Sequence, residues 1–184
     1  MTSEQDDIDA MIDGCRKGNR TAQERLYKSY YRVMVSLCLR YTKNEADAVE
    51  VLNNGFLKVF KNIQRYEPAQ GTLYTWIRTI VMHSCLDFVK ARAGKAAHHE
   101  LTEAVEVHVP PEAVSKMKAT ELLQLVRQLP PATQAVFNLY VMEGYNHKEI
   151  GQLLNISAGT SKWHLSEARK NLQKMIQHQD VNHS

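Results

Sequence analysis

Thiols, imidazoles and carboxylates are the side chains here whose types could support catalysis or metal binding, and their spacing supports neither. Cys15, Cys38 and Cys85 are far apart with no CxxC pair, which argues against a disulfide framework and against a zinc site. His98 and His99 are adjacent, so they point in different directions, and no Cys or acid stands at ligand spacing from them. His83 and Asp87 lie four apart on one helix pattern, a polar pair rather than an evident site. P-loop, HExxH, GxSxG and paired-carboxylate constellations are absent from the sequence. The expectation is therefore no catalytic residue, no metal and no cofactor. The side chains that stand out instead suit contact with nucleic acid. A basic stretch around Trp163 and an aromatic stretch from Tyr66 to Trp76 combine cations that can meet phosphate with rings on which bases can stack.

Charge patterning points the same way. The net charge of +3 over 184 residues hides alternating blocks: +7 across residues 14–43, −3 across 44–57, +5 across 58–95 and −3 across 96–121. Basic blocks suit nucleic acid and acidic ones a basic protein face, although solvated helix surfaces would give a similar pattern. A hydrophobic content of 43% is enough for packed cores. No apolar run approaches the roughly 18 residues of a membrane span. The first 13 residues hold Glu4, Asp6, Asp7, Asp9 and Asp13 with no Lys or Arg, the reverse of a signal peptide. A reducing cytoplasm is the expected location.

The elements that must position these residues are helical, with no strand alternation. One helix carries the stripe Ala22, Leu26, Tyr30, Val33 and Leu37. Asn44 reads as an N-cap, followed by Glu45 and Asp47 where the helix dipole favours acids. The stripe Ala48, Leu52, Phe56, Phe60 and Ile63 continues that second helix to Pro68. Thr72 can cap a third, with Ile77, Ile80, Val81, Ser84, Cys85 and Phe88 inward. From residue 94 the period fails in an acidic stretch holding Pro110 and Pro111, a linker. Beyond it, Leu122, Leu125, Val126 and Leu129 form a helix stopped by Pro130 and Pro131. Val136, Phe137, Leu139 and Tyr140 form another, ended by Gly144. Asn146 with Glu149 is a capping-box start for a short helix bearing Ile150, Leu153 and Leu154. A turn at residues 155–157 leads into a last helix reaching about Ile176. The expected fold is all-α: an N-terminal acidic segment (1–19), a helical domain (20–93), a linker (94–117), a second helical domain (118–176) and a tail (177–184).

Residues 145–172 have the form of a helix-turn-helix, whose second helix can enter the major groove. With Leu165 as reference at 100° per residue, Ser161, Ala168, Leu172 and Ile176 fall within about 60° and pack inward. Trp163, Ser166, Glu167 and Lys170 then face solvent, with Lys162 and Arg169 on the flank. An outward Trp is costly as plain surface and sensible against a base edge or thymine methyl; the alternative is a Trp folded back over a neighbouring helix.

Taken in order, residues 47–60 (DAVEVLNNGFLKVF), 66–78 (YEPAQGTLYTWIR), 80–90 (IVMHSCLDFVK), Leu129-Pro130-Pro131, Glu143-Gly144, residues 148–151 (KEIG), 159–162 (GTSK) and 168–172 (ARKNL) resemble the extracytoplasmic-function group of the sigma-70 family. The resemblance covers about residues 20–92 and 118–175, and the GTSK form looks like versions common in Bacteroidetes. It implies a two-domain sigma factor, non-enzymatic, that binds core RNA polymerase through the β′ clamp and β flap. It also implies recognition and opening of promoter DNA and control by a membrane-bound anti-sigma factor, without any small-molecule substrate.

Residue by residue, the resemblance implies polymerase docking by Asp47, Glu50, Asn53, Asn54 and Phe56, within the −3 block; Asn54 stands where the family often has an acid, and Phe56 also suits a core position. It implies −10 binding and melting by Tyr66, Thr72, Tyr74, Trp76, Arg78, His83, Lys90 and Arg92. Trp76 at this place is largely structural in the family, and His83 replaces a common Asn. For the −35 element it implies Thr160, Lys162, Trp163, His164, Ser166, Glu167, Arg169 and Lys170, with Glu167 where relatives commonly carry a base. Promoter elements roughly 17 base pairs apart lie about 55–60 Å apart. A flexible linker of about 22 residues averages about 25–28 Å and reaches about 70 Å extended, so it must be held stretched. The other readings are a stand-alone helix-turn-helix regulator dimerising through its N-terminal helices, which would bind DNA tightly without polymerase, and an enzyme, which no motif supports.

Overall fold

A computed structural model describes residues 2–93 and 119–182 of the chain. Every regular element among them is helical, as the 3.6-residue periodicity predicts. Packing divides them into two compact units, the first holding α1 (Thr2–Arg16), α2 (Arg20–Leu39), α3 (Glu45–Asn62) and most of α4 (Leu73–Ala93). The second holds α5 (Ala119–Gln128), α6 (Pro131–Phe137), α7 (His147–Leu154) and α8 (Ala158–Asn182). The expected linker lies outside the described residues.

The first unit differs from expectation at its start. The acidic segment folds as α1, because Met11, Ile12 and Cys15 form an apolar edge that is buried beneath the acids. This edge packs on α2 and on the 3-10 turn Ile63–Arg65. Burial also raises the pKa of the Cys15 thiol. In α2 the buried line is Leu26, Met34, Leu37 and Cys38, whereas Val33, expected inside, is 50% exposed. Successive residues on a helix turn by 100°, so 33 and 34 flank the same stripe, and the neighbouring helix decides which of them is covered.

Asn44 caps α3 as expected, its side chain accepting from the Asp47 N–H at 2.8 Å. Ala48, Leu52, Phe56 and Ile63 are buried. The helix does not run on to Pro68. It ends at Asn62 and passes through two 3-10 turns, Ile63–Arg65 and Pro68–Gln70, separated by extended backbone at Tyr66 and Glu67. Proline disfavours helical backbone at the residue before it, here Glu67. Thr72 then opens α4, its hydroxyl accepting from the Thr75 N–H. Cys38 and Cys85, both buried, face each other across α2 and α4 with free thiols 3.8 Å apart.

In the second unit α8 is the hub, packing on α5, α6 and α7. The expected helix through Tyr140 is α6 followed by a widened π turn, Asn138–Met142. It stops at Gly144, whose φ of +76° is the left-handed conformation expected of a glycine terminator. Tyr140 is exposed rather than inward. The capping box at Asn146 and Glu149 is complete: Oδ1 of Asn146 accepts from the N–H groups of Lys148 and Glu149, and Glu149 accepts from the Asn146 N–H. Helix α8 extends past Ile176 to Asn182, so part of the expected tail is helical.

Candidate functional site

Three surfaces gather the singled-out residues. On α3, Glu50, Asn53 and Asn54 are exposed, and Asp47 is half-buried with its carboxylate 3.0 Å from the Asn44 amide nitrogen. The Tyr27 hydroxyl donates to Asn53 Oδ1 at 2.8 Å, fixing the amide and leaving its N–H donors for a partner. Phe56 is a correction: it is 1% exposed and packed against Tyr27 and Phe60 with ring centroids 4.9 and 5.9 Å away, so it lies beneath the exposed face of α3 rather than on it. Its stripe position, i+4 from Leu52, already placed it inward. Leu57 takes the outward place. It is 56% exposed and follows Glu50 by seven residues and Asn53 by four, a spacing that could have revealed it.

The second surface forms around the two 3-10 turns and the start of α4. Arg65, Glu67, Gln70, Gly71 and Thr75 line a cavity of about 240 Å³ with Tyr66, Trp76, Thr79 and Ile80. That is smaller than the roughly 300–1,000 Å³ typical of small-molecule sites, and it suits one planar ring better than a large metabolite. Tyr66 and Trp76 form a wall, their centroids 5.5 Å apart and tilted by 52°. Tyr66 is a second correction. Expected as a stacking ring, it is 5% exposed, and its hydroxyl donates to the Gly71 carbonyl at 3.2 Å. Burial, and next the Asp9 carboxylate, raise its phenol pKa, opposed by Arg16. It braces the turn while Trp76, half-buried, keeps part of its surface open. Tyr74 is exposed at 41% and offers a free ring. Thr72 is committed to capping. Further along, His83 is exposed, Arg78 is half-buried, Lys90 lies 3.3 Å from Asp87, and the Arg92 guanidinium sits 4.4 Å from the Phe88 ring centroid. Exposed pairs of this kind contribute under about 1 kcal/mol, so both cations can exchange them for phosphate.

The third surface is the helix-turn-helix, α7 and α8. Asn155 turns the chain in the left-handed conformation (φ 57°), and Ser157 caps α8 by accepting from the Thr160 N–H at 2.9 Å. Ser161, Leu165, Ala168, Leu172 and Ile176 are all buried, the inward face that the 100° rule selects. Lys162 and Lys170 are exposed, while Thr160, Ser166, Glu167 and Arg169 are half-buried. Trp163 is also half-buried rather than fully outward, with its ring edge-on to His164 at 4.9 Å. His164 faces partly inward, Nδ1 lying 3.0 Å from the Thr133 hydroxyl of α6. Glu167 sits 3.8 Å from Lys170. His147 pins the two helices together through Ser161 Oγ at 2.9 Å and stacks on Tyr140 at 4.7 Å. Burial, then Lys162 and Arg169, lower its pKa.

No group of three or more metal-ligating side chains occurs among the described residues, and no helix among them is long and apolar enough to cross a membrane.

Comparison with known proteins matches sigma-70 region 2 to residues 26–94 and sigma-70 region 4 to residues 119–172. The ECF RNA polymerase sigma factor SigE of Mycolicibacterium smegmatis is 29% identical over 85% of this chain, which spans 59% of that relative's length. The ECF RNA polymerase sigma factor SigW of Bacillus subtilis is 24% identical over 92% of this chain and 96% of its own. Among solved structures, the sigma factor RpoE of Bartonella quintana, in complex with the anti-sigma factor NepR, shares the fold. It has a TM-score of 0.50 and 14% identity over 84% of this chain and 96% of that one. With region 2 and region 4 together covering well over half of its residues, the chain belongs to the sigma-70 family, as a sigma factor of the extracytoplasmic-function group that serves transcription initiation.

Proposed function

We propose that the three surfaces divide the work of initiation. The exposed face of α3, Asp47, Glu50, Asn53 and Asn54 with Leu57, docks on a basic face of core RNA polymerase, the β′ clamp. Carboxylates around an oriented amide and one apolar contact suit that surface, and the mixed charge gives specificity more than affinity. Residues 20–93 act as the −10 domain and 118–176 as the −35 domain, the second also meeting the β flap, and residues 94–117 span the distance between the promoter elements. The Gly159–Lys162 motif supports a Bacteroidetes-like source.

The observation that carries this reading is the cavity beside Trp76. Opening a duplex unstacks a base at a cost of a few kcal/mol. A one-ring cavity walled by tryptophan, with Gln70, Thr75 and Thr79 at its edge, can take up that base and return part of the cost. Tyr74 stacks the neighbouring strand, while Arg78, Lys90 and Arg92 meet phosphates. Along α8, Lys162 and Lys170 fix the duplex, and Trp163 and Ser166 read base edges beside Thr160, Glu167 and Arg169. His164 acts from behind through Thr133. Glu167, an acceptor, favours a cytosine amino group. Control by a membrane-bound anti-sigma factor that holds the chain away from polymerase belongs to the same reading, and the RpoE of Bartonella quintana is seen bound to an anti-sigma factor.

The test is single-strand capture. Holoenzyme reconstituted with this chain should bind a −10 single strand and discriminate the unstacked base from an abasic site by about 1–3 kcal/mol. Replacing Thr79 with Leu to fill the cavity should abolish that discrimination; its persistence would refute the pocket.

A further inference from the structure

Helix α1 lies outside the region 2 match, which begins at residue 26, yet two hydrogen bonds join its last turn to the pocket turn. The Arg16 guanidinium, in the last turn of α1, donates from Nη2 to the Tyr66 carbonyl at 2.8 Å. In return, the Gln64 side-chain amide donates to the Arg16 carbonyl at 2.8 Å. Each bond satisfies a main-chain oxygen that its own element leaves without a partner. The Arg16 carbonyl is among the last four of α1, and Tyr66 follows a 3-10 turn with extended backbone (φ −70°, ψ 125°). Asp13 lies 3.4 Å from Nη1 and orients the guanidinium, whose side chain is 32% exposed.

We propose that Arg16 and Gln64 form a reciprocal clasp through which α1 sets the position of the Tyr66 turn, making Arg16 a positioning residue for promoter opening. The clasp acts on a short lever. Tyr66 is bonded through its hydroxyl to Gly71 and packs on Trp76, so its backbone, its ring and the far lip of the cavity move together. The backbone hydrogen bonds within the turn, from the N–H groups of Tyr66, Gln70 and Gly71, each span three residues, so they shape each 3-10 fragment without tying it to α1, and the charge-assisted bond from Arg16 supplies that tie. None of the clasp's hydrogen bonds involves the exposed residues of α3. Its loss should therefore loosen the pocket and spare docking on polymerase.

The inference rests on the pocket reading above, and the experiment separates the two. Holoenzymes carrying the wild-type chain, Arg16→Met, Arg16→Lys or Gln64→Ala are titrated with −10 single strands bearing each base, or an abasic site, at the unstacked position. Core affinity and the melting temperature of each chain are measured alongside. Arg16→Met should lose about tenfold in base discrimination, Arg16→Lys should recover part of it, and Gln64→Ala should lose about threefold, with core affinity within about twofold of wild type throughout. If Arg16→Met does not fold, Gln64→Ala, which leaves the guanidinium in place, carries the test. Discrimination equal to wild type in Arg16→Met and Gln64→Ala overturns the clasp alone. Core affinity falling in step with discrimination also overturns it, because the contact would then serve the bundle as a whole. A wild-type holoenzyme indifferent to the base overturns the pocket reading, and the clasp's role in opening with it.

Discussion

The two regions proposed to face DNA differ in how their backbones are shaped. The helix-turn-helix is assembled from regular helices with local stops: a complete capping box at Asn146, a left-handed Asn155 and a Ser157 cap, each using residues within four positions of one another. The pocket region is held by contacts spanning far more sequence, such as Arg16 to Tyr66, 50 residues apart, and Gln64 to Arg16, 48 apart. A duplex reader needs a rigid rod of known pitch, which local rules supply. A device that holds an unstacked base needs an irregular concavity, and only distant elements can enforce irregular backbone.

The largest effect expected from this comparison comes from the core under the docking face. Phe56→Ala should cost about 3–5 kcal/mol of stability, measured by denaturant unfolding, and should weaken polymerase binding only through unfolding. Polymerase binding lost with stability intact would return Phe56 to the interface. Next, Gly151→Ala should cost about 1–3 kcal/mol. A Cβ there would lie 2.7 Å from the Ile156 carbonyl oxygen, so the turn before α8 must shift, and −35 affinity should fall while −10 single-strand capture holds. Asn146→Ala, which removes one half of the capping box, should cost about 1 kcal/mol by the same denaturant unfolding.

The smallest effect is a pH dependence. Burial and the nearby Lys162 and Arg169 lower the pKa of His147 in the folded chain. Below the usual histidine value the unfolded chain therefore binds the proton first, and stability falls as pH drops from that value towards the lowered one. His147→Gln should flatten the melting-temperature profile just below the ordinary histidine value. An unchanged slope would remove His147 from the account of how α7 and α8 are joined.

The same contrast explains what the sequence made legible. Asn44, Thr72, Gly144 and the Asn146–Glu149 pair were readable because a cap is a local bargain between a side chain and backbone three residues away. The inward face of α8, from Ser161 to Ile176, followed from helical period alone. Where burial depends on what another helix covers, the sequence is a poorer guide. The stripe selects Val33 although Met34 is the buried residue, the Phe56 stripe position points to the core although the resemblance implies a contact, and the Tyr66 ring suits stacking although it is buried. Helix α1 was hidden because five acids mask the short apolar edge formed by Met11, Ile12 and Cys15. The Arg16–Gln64 clasp has no local signature: neither residue stands in a motif, and the two lie 48 residues apart in sequence.

The central claim is that this chain directs polymerase to open promoter DNA through the Trp76 pocket, and permanganate footprinting of thymines on a promoter duplex tests it most directly. Purified core polymerase with this chain should make −10 thymines reactive and start RNA synthesis, while neither component alone should do so, and Thr79→Leu should suppress reactivity without releasing the chain from core. Tight promoter binding by the chain alone, with no opening when core is added, would contradict it.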